Sequence, residues 1–236
     1  MEKLKVVVIG VGHLGKAHAR IYSEMPDVSL VGVVDTNKDA GEAVALRCKT
    51  RYYSSFEEIL DRVDAASVVV PTKSHYKITK ELINNGIHVL VEKPMTGTVS
   101  EAEDLIMLSK KNSTILQPGY IERFNPALEA IKKLDVSLKF IECHRLSPFT
   151  FRSADIGVVL DLMIHDIDII LYLSKSKVKK IDAVGVNVIA DKEDIANARI
   201  QFENGCVANI TASRVSFEPM RRIRLFSENS YISLDY

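Results

Sequence analysis

The 236-residue sequence predicts an α/β fold. A doubly wound parallel sheet occupies residues 1–120, and an α+β domain with a mainly antiparallel sheet occupies 121–236. Three observations predict it. Short apolar runs alternate with helical patterns as far as about residue 120. A glycine-rich turn, Gly10-Val11-Gly12-His13-Leu14-Gly15, joins the first apolar run to the first helical pattern. From Val178 onward the patterning is that of strands alone.

In order, Leu4 to Ile9 reads as a strand, Leu14 to Tyr22 as a helix, and Leu30 to Val34 as a strand ending on Asp35. A helix follows over Lys38 to Arg47, then a short strand over Thr50 to Tyr53 and a helix over Phe56 to Leu60 capped by Ser55. Ala66 to Val70 is a buried strand. His75 to Asn84 is a helix stopped by Asn85-Gly86, and Ile87 to Val91 is a strand. Ser100, with Glu103 as its capping-box partner, opens the helix Glu101 to Lys111, and Ile115 to Pro118 closes the parallel sheet. The rhythm then changes. Pro126 to Lys133 is helical, Ser137 to Arg145 a strand, Ser147 to Asp155 a polar loop, and Val158 to Leu173 a long helix. Strands follow over Val178 to Ile189, Ala196 to Phe202, Cys206 to Ser213, Arg221 to Ser227 and Tyr231 to Leu234, with Asn204-Gly205 a hairpin turn.

The strand–turn–helix–strand–acid order around Gly10–Asp35 is that of a dinucleotide-binding Rossmann unit. Gly10 allows the tight turn. Gly12 has no side chain to hold the backbone away from a pyrophosphate, and Gly15 lets the helix sit close on the strand. The helix start at His13 and Leu14 offers free N–H groups and a positive dipole end to phosphates. Asp35 can accept from a ribose 2′-OH and would repel a 2′-phosphate, so the cofactor expected is NAD rather than NADP.

Composition sets the remaining bounds. Hydrophobic content of 47% and charged content of 26% are those of an ordinary globular protein. Lys+Arg and Asp+Glu both number 31, so net charge gives no sign of a nucleic-acid partner. The three cysteines, Cys48, Cys143 and Cys206, lack metal-ligand spacing and read as free thiols of a reducing compartment. No apolar run reaches the length of a membrane span, and the N-terminus reads as a strand rather than a signal peptide. The expected location is the cytoplasm.

Three further stretches carry chemistry. Val69-Val70-Pro71-Thr72-Lys73-Ser74-His75 leaves the end of a buried strand, where open α/β sheets bind ligands. Pro71 and Thr72 are placed to touch a nicotinamide ribose, with His75 beside them. Glu92-Lys93-Pro94 follows another strand. A lysine there can hydrogen-bond a substrate hydroxyl or share its proton, and Pro94 holds the backbone rigid, with a cis bond one way to do so. In Gly157 to Asp166, Asp161 and His165 are four apart in a helical pattern, so they share a face. A carboxylate beside an imidazole fixes its tautomer and suits it to general-base work. Asp166 and Asp168 lie nearby, but the order is no zincin motif and no metal is expected.

Together these pieces resemble the Gfo/Idh/MocA oxidoreductases. The match lies in the Gly10/Gly12/Gly15 turn, Asp35, Pro71-Thr72 with His75, Glu92-Lys93-Pro94, and Gly157 followed by Asp161 and His165, and it covers most of the chain. The resemblance implies an N-terminal Rossmann domain, a second domain with an open-faced sheet, and a catalytic set of Lys93, Asp161 and His165. It also implies a homodimer or homotetramer made through that sheet. Within the family, Gly119 to Pro126 and Arg145 to Pro148 look like members acting on nucleotide sugars, UDP-N-acetylglucosamine above all. Arg123 and Asn125 would then serve sugar or phosphate, and Arg145 and Arg152 a diphosphate. Family members usually have a longer second domain, so this chain is expected to be either a short variant or lacking a C-terminal part. The resulting expectation is hydride transfer between NAD and a sugar hydroxyl carbon, with the site between the domains. The proton acceptor is His165 or Lys93; sequence leaves both open. The competing readings are a non-catalytic NAD- or sugar-binding regulator on the same fold, and a dehydrogenase of free sugars or inositols.

Overall fold

The computed structural model describes residues 2–132, 136–150 and 156–235. They form two compact units, Met1–Gly119 and Tyr120–Tyr236.

In the first unit, strands β1 (Leu4–Ile9), β2 (Val28–Val34), β3 (Arg51–Tyr53), β4 (Ala65–Val68), β5 (His88–Val91) and β6 (Leu116–Pro118) make one sheet in the order β3-β2-β1-β4-β5-β6. Every pairing in it is parallel. This is the doubly wound order, and its direction reverses between β1 and β4. Helices α1 (His13–Glu24), α2 (Lys38–Arg47), α3 (Thr72–Asn84) and α4 (Val99–Lys111) connect the strands. Alternation within β1 supplies both faces. Val7 and Ile9 pack with Ile59, Val68, Leu82, Ile83 and Leu105, whereas Val8 packs with Val11, Ala19, Val33 and Val44.

Several expected boundaries move, each for a local reason. The first helix begins at His13, directly after Gly12, and runs to Glu24. Residues Phe56–Ile59 make a single 3₁₀ turn rather than an α-helix, with Ser55 and Glu58 forming its capping box. The strand at 66 ends at Val68, and α3 starts at Thr72 with Pro71 as its N-cap. The cap of α4 is Thr98 rather than Ser100. Its hydroxyl accepts from Glu101 N while the Glu101 carboxylate accepts from Thr98 N, so the earlier of two overlapping Ser/Thr-x-x-Glu patterns forms the box.

In the second unit, α5 (Pro126–Lys132) and α6 (Ile164–Ser174) accompany β7 (Leu138–Leu146), β8 (Val178–Val186), β9 (Ile195–Phe202), β10 (Val207–Ser213), β11 (Met220–Ser227) and β12 (Tyr231–Asp235). The sheet order is β12-β11-β7-β10-β9-β8; β7 and β10 pair in parallel and the other neighbours antiparallel. One face is the core, where Ile141, Cys143, Ala198, Ile200, Ile210 and Ile223 meet Val158, Met163, Ile169 and Ile170 of the helical segment. Alternate residues face the other way: Glu142 pairs with Arg224, and the Phe226 ring meets that of Phe140 edge-on and that of Tyr231 at a tilt.

Two expectations change here. The strand from Val178 stops at Val186 instead of Ile189, because the N–H groups of Val188, Ile189 and Ala190 turn to the Asp194 carboxylate. The helix expected from Val158 opens with a π turn, Val159–Met163, before becoming α-helical at Ile164.

Candidate active site

At the phosphate-facing turn, Gly10 has φ +89°, and a Cβ there would lie 2.5 Å from the Val69 carbonyl oxygen. A Cβ on Gly15 would overlap the Gly10 carbonyl oxygen, so this contact sets how closely α1 approaches the strand end. Gly12 faces open space, with nothing within 4 Å of its would-be Cβ. That is the environment required where backbone must approach a ligand rather than pack against protein. His13 and Leu14 are exposed in the first turn of α1.

A cavity of about 540 Å³ lies in the second unit between α6 and β8. It is apolar, and it contains none of the residues singled out for chemistry. The cavity that matters is in the first unit, about 470 Å³ in volume, and is lined by Gly10, Gly12, Asp35, Ser55, Val69 and Pro71 among others. It lies beyond the carboxyl ends of β1 and β4, at the switch point of the sheet. Asp35 is held there by two backbone donors, Val11 N to Oδ2 and Asn37 N to Oδ1, each at 2.8 Å. Each oxygen keeps a lone pair for a ribose hydroxyl. The glycine cradle, the open cleft and the restrained carboxylate together fit NAD.

The other first-unit residues cluster at the ends of β4 and β5. His75 is buried, with Nδ1 2.8 Å from the Pro94 carbonyl oxygen and Nε2 2.8 Å from that of Val70. Its ring ties two loops together: the one after β4 and the one after β5. Thr72 and Lys93 are half-buried, Pro71 is exposed, and the Lys93-Pro94 peptide is cis. The Glu92 carboxylate contacts the Lys93 backbone, whose N–H donates to Oε2 at 3.3 Å, and lies 3.2 Å through Oε1 from His18 Nε2. His18 is a functional candidate that sequence reading missed. Its only signal was a histidine one turn after Gly15, on a helix whose other face is charged.

In the second unit, Asp161 lies in the π turn and His165 in the first turn of α6, both half-buried. The turn between them is widened, bonding i to i+5 instead of i to i+4. The turn is anchored by Glu193, also missed from sequence. Its carbonyl accepts from Val158 N at 2.9 Å, and its carboxylate fills the space where a Cβ on Gly157 would stand. Glycine at 157 is therefore required for a neighbouring side chain.

The arginines are placed differently from expectation. Arg145 is buried and binds Asp166 through Nε and Nη2, both at 2.9 Å, and Glu122 through Nη1 at 3.2 Å. Burial pushes the Asp166 carboxyl up from its ordinary range, while the Arg145 guanidinium pulls it down. Arg123 grips Asp168 in the same two-pronged way, at 2.7 and 2.5 Å, and its guanidinium lies over the Tyr172 ring. Both guanidinium groups bind carboxylates of α6, which ties the 120–125 segment to that helix. Asn125 caps α5 by accepting from Ala127 N at 3.0 Å. Arg152 lies outside the described residues. A buried pair that the sequence did not suggest is Asp194–Arg214, 2.7 Å apart. Burial raises the Asp194 carboxyl, but the N–H groups of Ile189 and Ala190, the Arg214 guanidinium and the Val188 N–H outweigh it, and the group sits well below the usual carboxylate range.

Comparison with known proteins settles the family. A family model described as "Oxidoreductase family, NAD-binding Rossmann fold" matches residues 4–120, and the "GFO/IDH/MocA C-terminal domain" matches residues 140–233. The chain belongs to the Gfo/Idh/MocA oxidoreductases. It is 39% identical to UDP-N-acetylglucosamine 3-dehydrogenase from Acidithiobacillus ferrooxidans, over 100% of this chain and 75% of that protein. A solved structure of that enzyme superposes with a TM-score of 0.94, covering 100% of this chain and 78% of the other. The chain is 28% identical to scyllo-inositol 2-dehydrogenase (NAD(+)) from Bacillus subtilis, over 91% of this chain and 68% of that protein. This Gfo/Idh/MocA chain is an oxidoreductase with an NAD-binding Rossmann unit at its N-terminus. No helix among the described residues is long and apolar enough to cross a membrane.

Proposed function

We propose that this chain oxidises a hydroxyl carbon of a nucleotide sugar, with UDP-N-acetylglucosamine as the first candidate, and uses NAD in preference to NADP. When bound, the nicotinamide supplies the hydride acceptor. Gly10, Gly12, Gly15 and the start of α1 hold its phosphates, Asp35 a ribose, and Pro71, Thr72 and Glu92 the nicotinamide end. His165, oriented by Asp161, takes the proton from the substrate hydroxyl. Lys93 donates a hydrogen bond to the same oxygen and stabilises negative charge as it develops there. The observation that carries this reading is a cofactor cradle with a half-buried lysine two residues past the end of β5. The 39% identity to a UDP-N-acetylglucosamine enzyme supports the substrate class.

One observation favours a second substrate class. Arg145, one of the two arginines expected at a diphosphate, already binds the Asp166 and Glu122 carboxylates. The likeness to an inositol dehydrogenase makes free sugars and inositols the competing substrates. Nicotinamide reduction followed by absorbance, with UDP-N-acetylglucosamine, N-acetylglucosamine and inositols offered in parallel, separates them. Turnover of the nucleotide sugar alone is expected. His165→Ala and Lys93→Ala should each keep NADH binding and lose about 10²–10⁴-fold in turnover; near-wild-type turnover in both would refute the assignment, and binding without turnover of any sugar would favour a regulator.

The half-exposed outer face of the second sheet, with its Phe140, Phe226 and Tyr231 rings in contact, is our proposed contact in a homodimer or homotetramer, to be read by light scattering. The three buried free cysteines suit a cytoplasmic enzyme.

A further inference from the structure

We propose that His18 is a positioning residue. In this inference it holds the Glu92 carboxylate, and through it the Glu92-Lys93 turn, at the end of a directed hydrogen-bond chain running Tyr22–Ser67–His18–Glu92. The inference rests on the role given to Lys93 above, but no sugar is needed to test it.

The four residues come from three places in the first unit. His18 and Tyr22 are on α1, one turn apart; Ser67 is fully buried on β4; Glu92 follows β5. His18 Nε2 is 3.2 Å from Glu92 Oε1, and Nδ1 is 3.3 Å from Ser67 Oγ, which is 2.8 Å from the Tyr22 hydroxyl. Side-chain exposure is 19% for His18 and 15% for Glu92, so the pair is largely shielded from solvent. With Nε2–H donating to the Glu92 carboxylate, Nδ1 is left to accept from the Ser67 hydroxyl, whose oxygen accepts in turn from Tyr22. Every hydroxyl and ring nitrogen in the chain is satisfied in one direction, with one tautomer.

The far end of the chain is the proposed reaction centre. Glu92 divides its oxygens: Oε1 goes to His18, and Oε2 accepts from the N–H of Lys93. Gly119 leaves room for this carboxylate, since a Cβ there would come within 3.0 Å of Oε1. The same helix thus faces the phosphates with its first turn and steadies the nicotinamide end of the cradle from its second. A displacement of about 1 Å at such a group can change rates on the order of 10²-fold.

Two readouts test this. In the ligand-free protein, long-range ¹H–¹⁵N correlation of the imidazole should report His18 as the Nε2–H tautomer; the Nδ1–H tautomer would overturn the proposal. NADH affinity, read by fluorescence, should then be measured for His18→Ala, Glu92→Ala, the double variant and His18→Gln. His18→Ala should weaken NADH about tenfold, and the double variant should be no weaker than Glu92→Ala alone. Gln, whose amide can donate to Glu92, should recover most of the loss. A purely structural histidine would instead give additive losses and no rescue by Gln, and either result, or unchanged affinity in His18→Ala, sinks the idea. If the NADH cycle behaves as stated while no sugar is turned over, the sugar-dehydrogenase reading fails and the role of His18 stands.

Discussion

The Gly10–Gly15 turn and the Arg123–Arg145 region both offer groups suited to phosphate, but they are built in opposite ways. The turn works through what is missing: three positions without side chains leave backbone N–H groups and a helix end open to a ligand. The second region works through what is present, and its guanidinium groups meet carboxylates on α6 before any ligand arrives. A glycine requirement is set by local backbone geometry and can be read from spacing. The partner of an arginine is set by the fold, 21 residues away for Arg145 and 45 for Arg123. Spacing alone marks the glycine turn as a phosphate site, whereas what Arg123 and Arg145 meet is decided by the fold.

The largest effect separating these designs should come from the buried pair of the second unit. Arg214→Met leaves the fully buried Asp194 charge without its guanidinium, and removing one partner of such a pair costs about 3–5 kcal/mol. Chemical denaturation should show that loss, with NADH affinity of the folded variant unchanged. A matching loss of NADH affinity would break the separation. The pair also predicts an acid response. Because the folded Asp194 lies below its unfolded value of about 3.9, its contribution is fully present above that pH. It is lost as pH falls through the lower folded value. Asp194→Asn should therefore flatten the stability profile below about pH 4; an unchanged slope there would count against the depressed carboxyl.

At the turn the expected pattern is reversed. Gly15→Ala drives a methyl into the Gly10 carbonyl, and relieving such an overlap shifts backbone at about 1–3 kcal/mol. NADH should bind on the order of 10- to 100-fold more weakly, where Arg214→Met leaves its affinity unchanged. Unaltered affinity would mean the close approach of α1 is not what shapes the cradle. Asp35→Ser is the milder test of the same cleft. Loss of a charged acceptor is worth about 1.5–3 kcal/mol, so NADH should weaken by at least about tenfold while NADPH gains. A variant that still rejects NADPH would place the discrimination elsewhere.

These contrasts explain how far the sequence could be read. The order of strands and helices, the cofactor turn and the Asp35 terminus were legible because each rests on periodicity or backbone geometry within a few residues. The Glu193 carboxylate against Gly157, the Asp194 grip on residues 188–190 and the His18–Glu92 contact join segments 36, 4–6 and 74 positions apart. Nothing in local spacing marks them. The π turn at Val159–Met163 was hidden for a different reason: its apolar pattern is that of an ordinary helix, and the widening follows from its anchorage to Glu193.

Even a local rule misleads when two copies of it overlap, and α4 supplies the smallest and sharpest test. Both Thr98-x-x-Glu101 and Ser100-x-x-Glu103 satisfy the capping-box pattern, so spacing alone cannot choose between them. In the structure Thr98 and Glu101 exchange hydrogen bonds at 3.1 and 3.3 Å, and Ser100 already lies inside the helix. Thr98→Ala should therefore cost about 1 kcal/mol. Ser100→Ala should stay within about 0.5 kcal/mol, because the capping box of this exposed first turn is made by Thr98 and Glu101 without it. Thermal denaturation of the two variants side by side decides it: equal losses, or a larger loss for Ser100→Ala, would move the helix start two residues on and restore the boundary that spacing suggested.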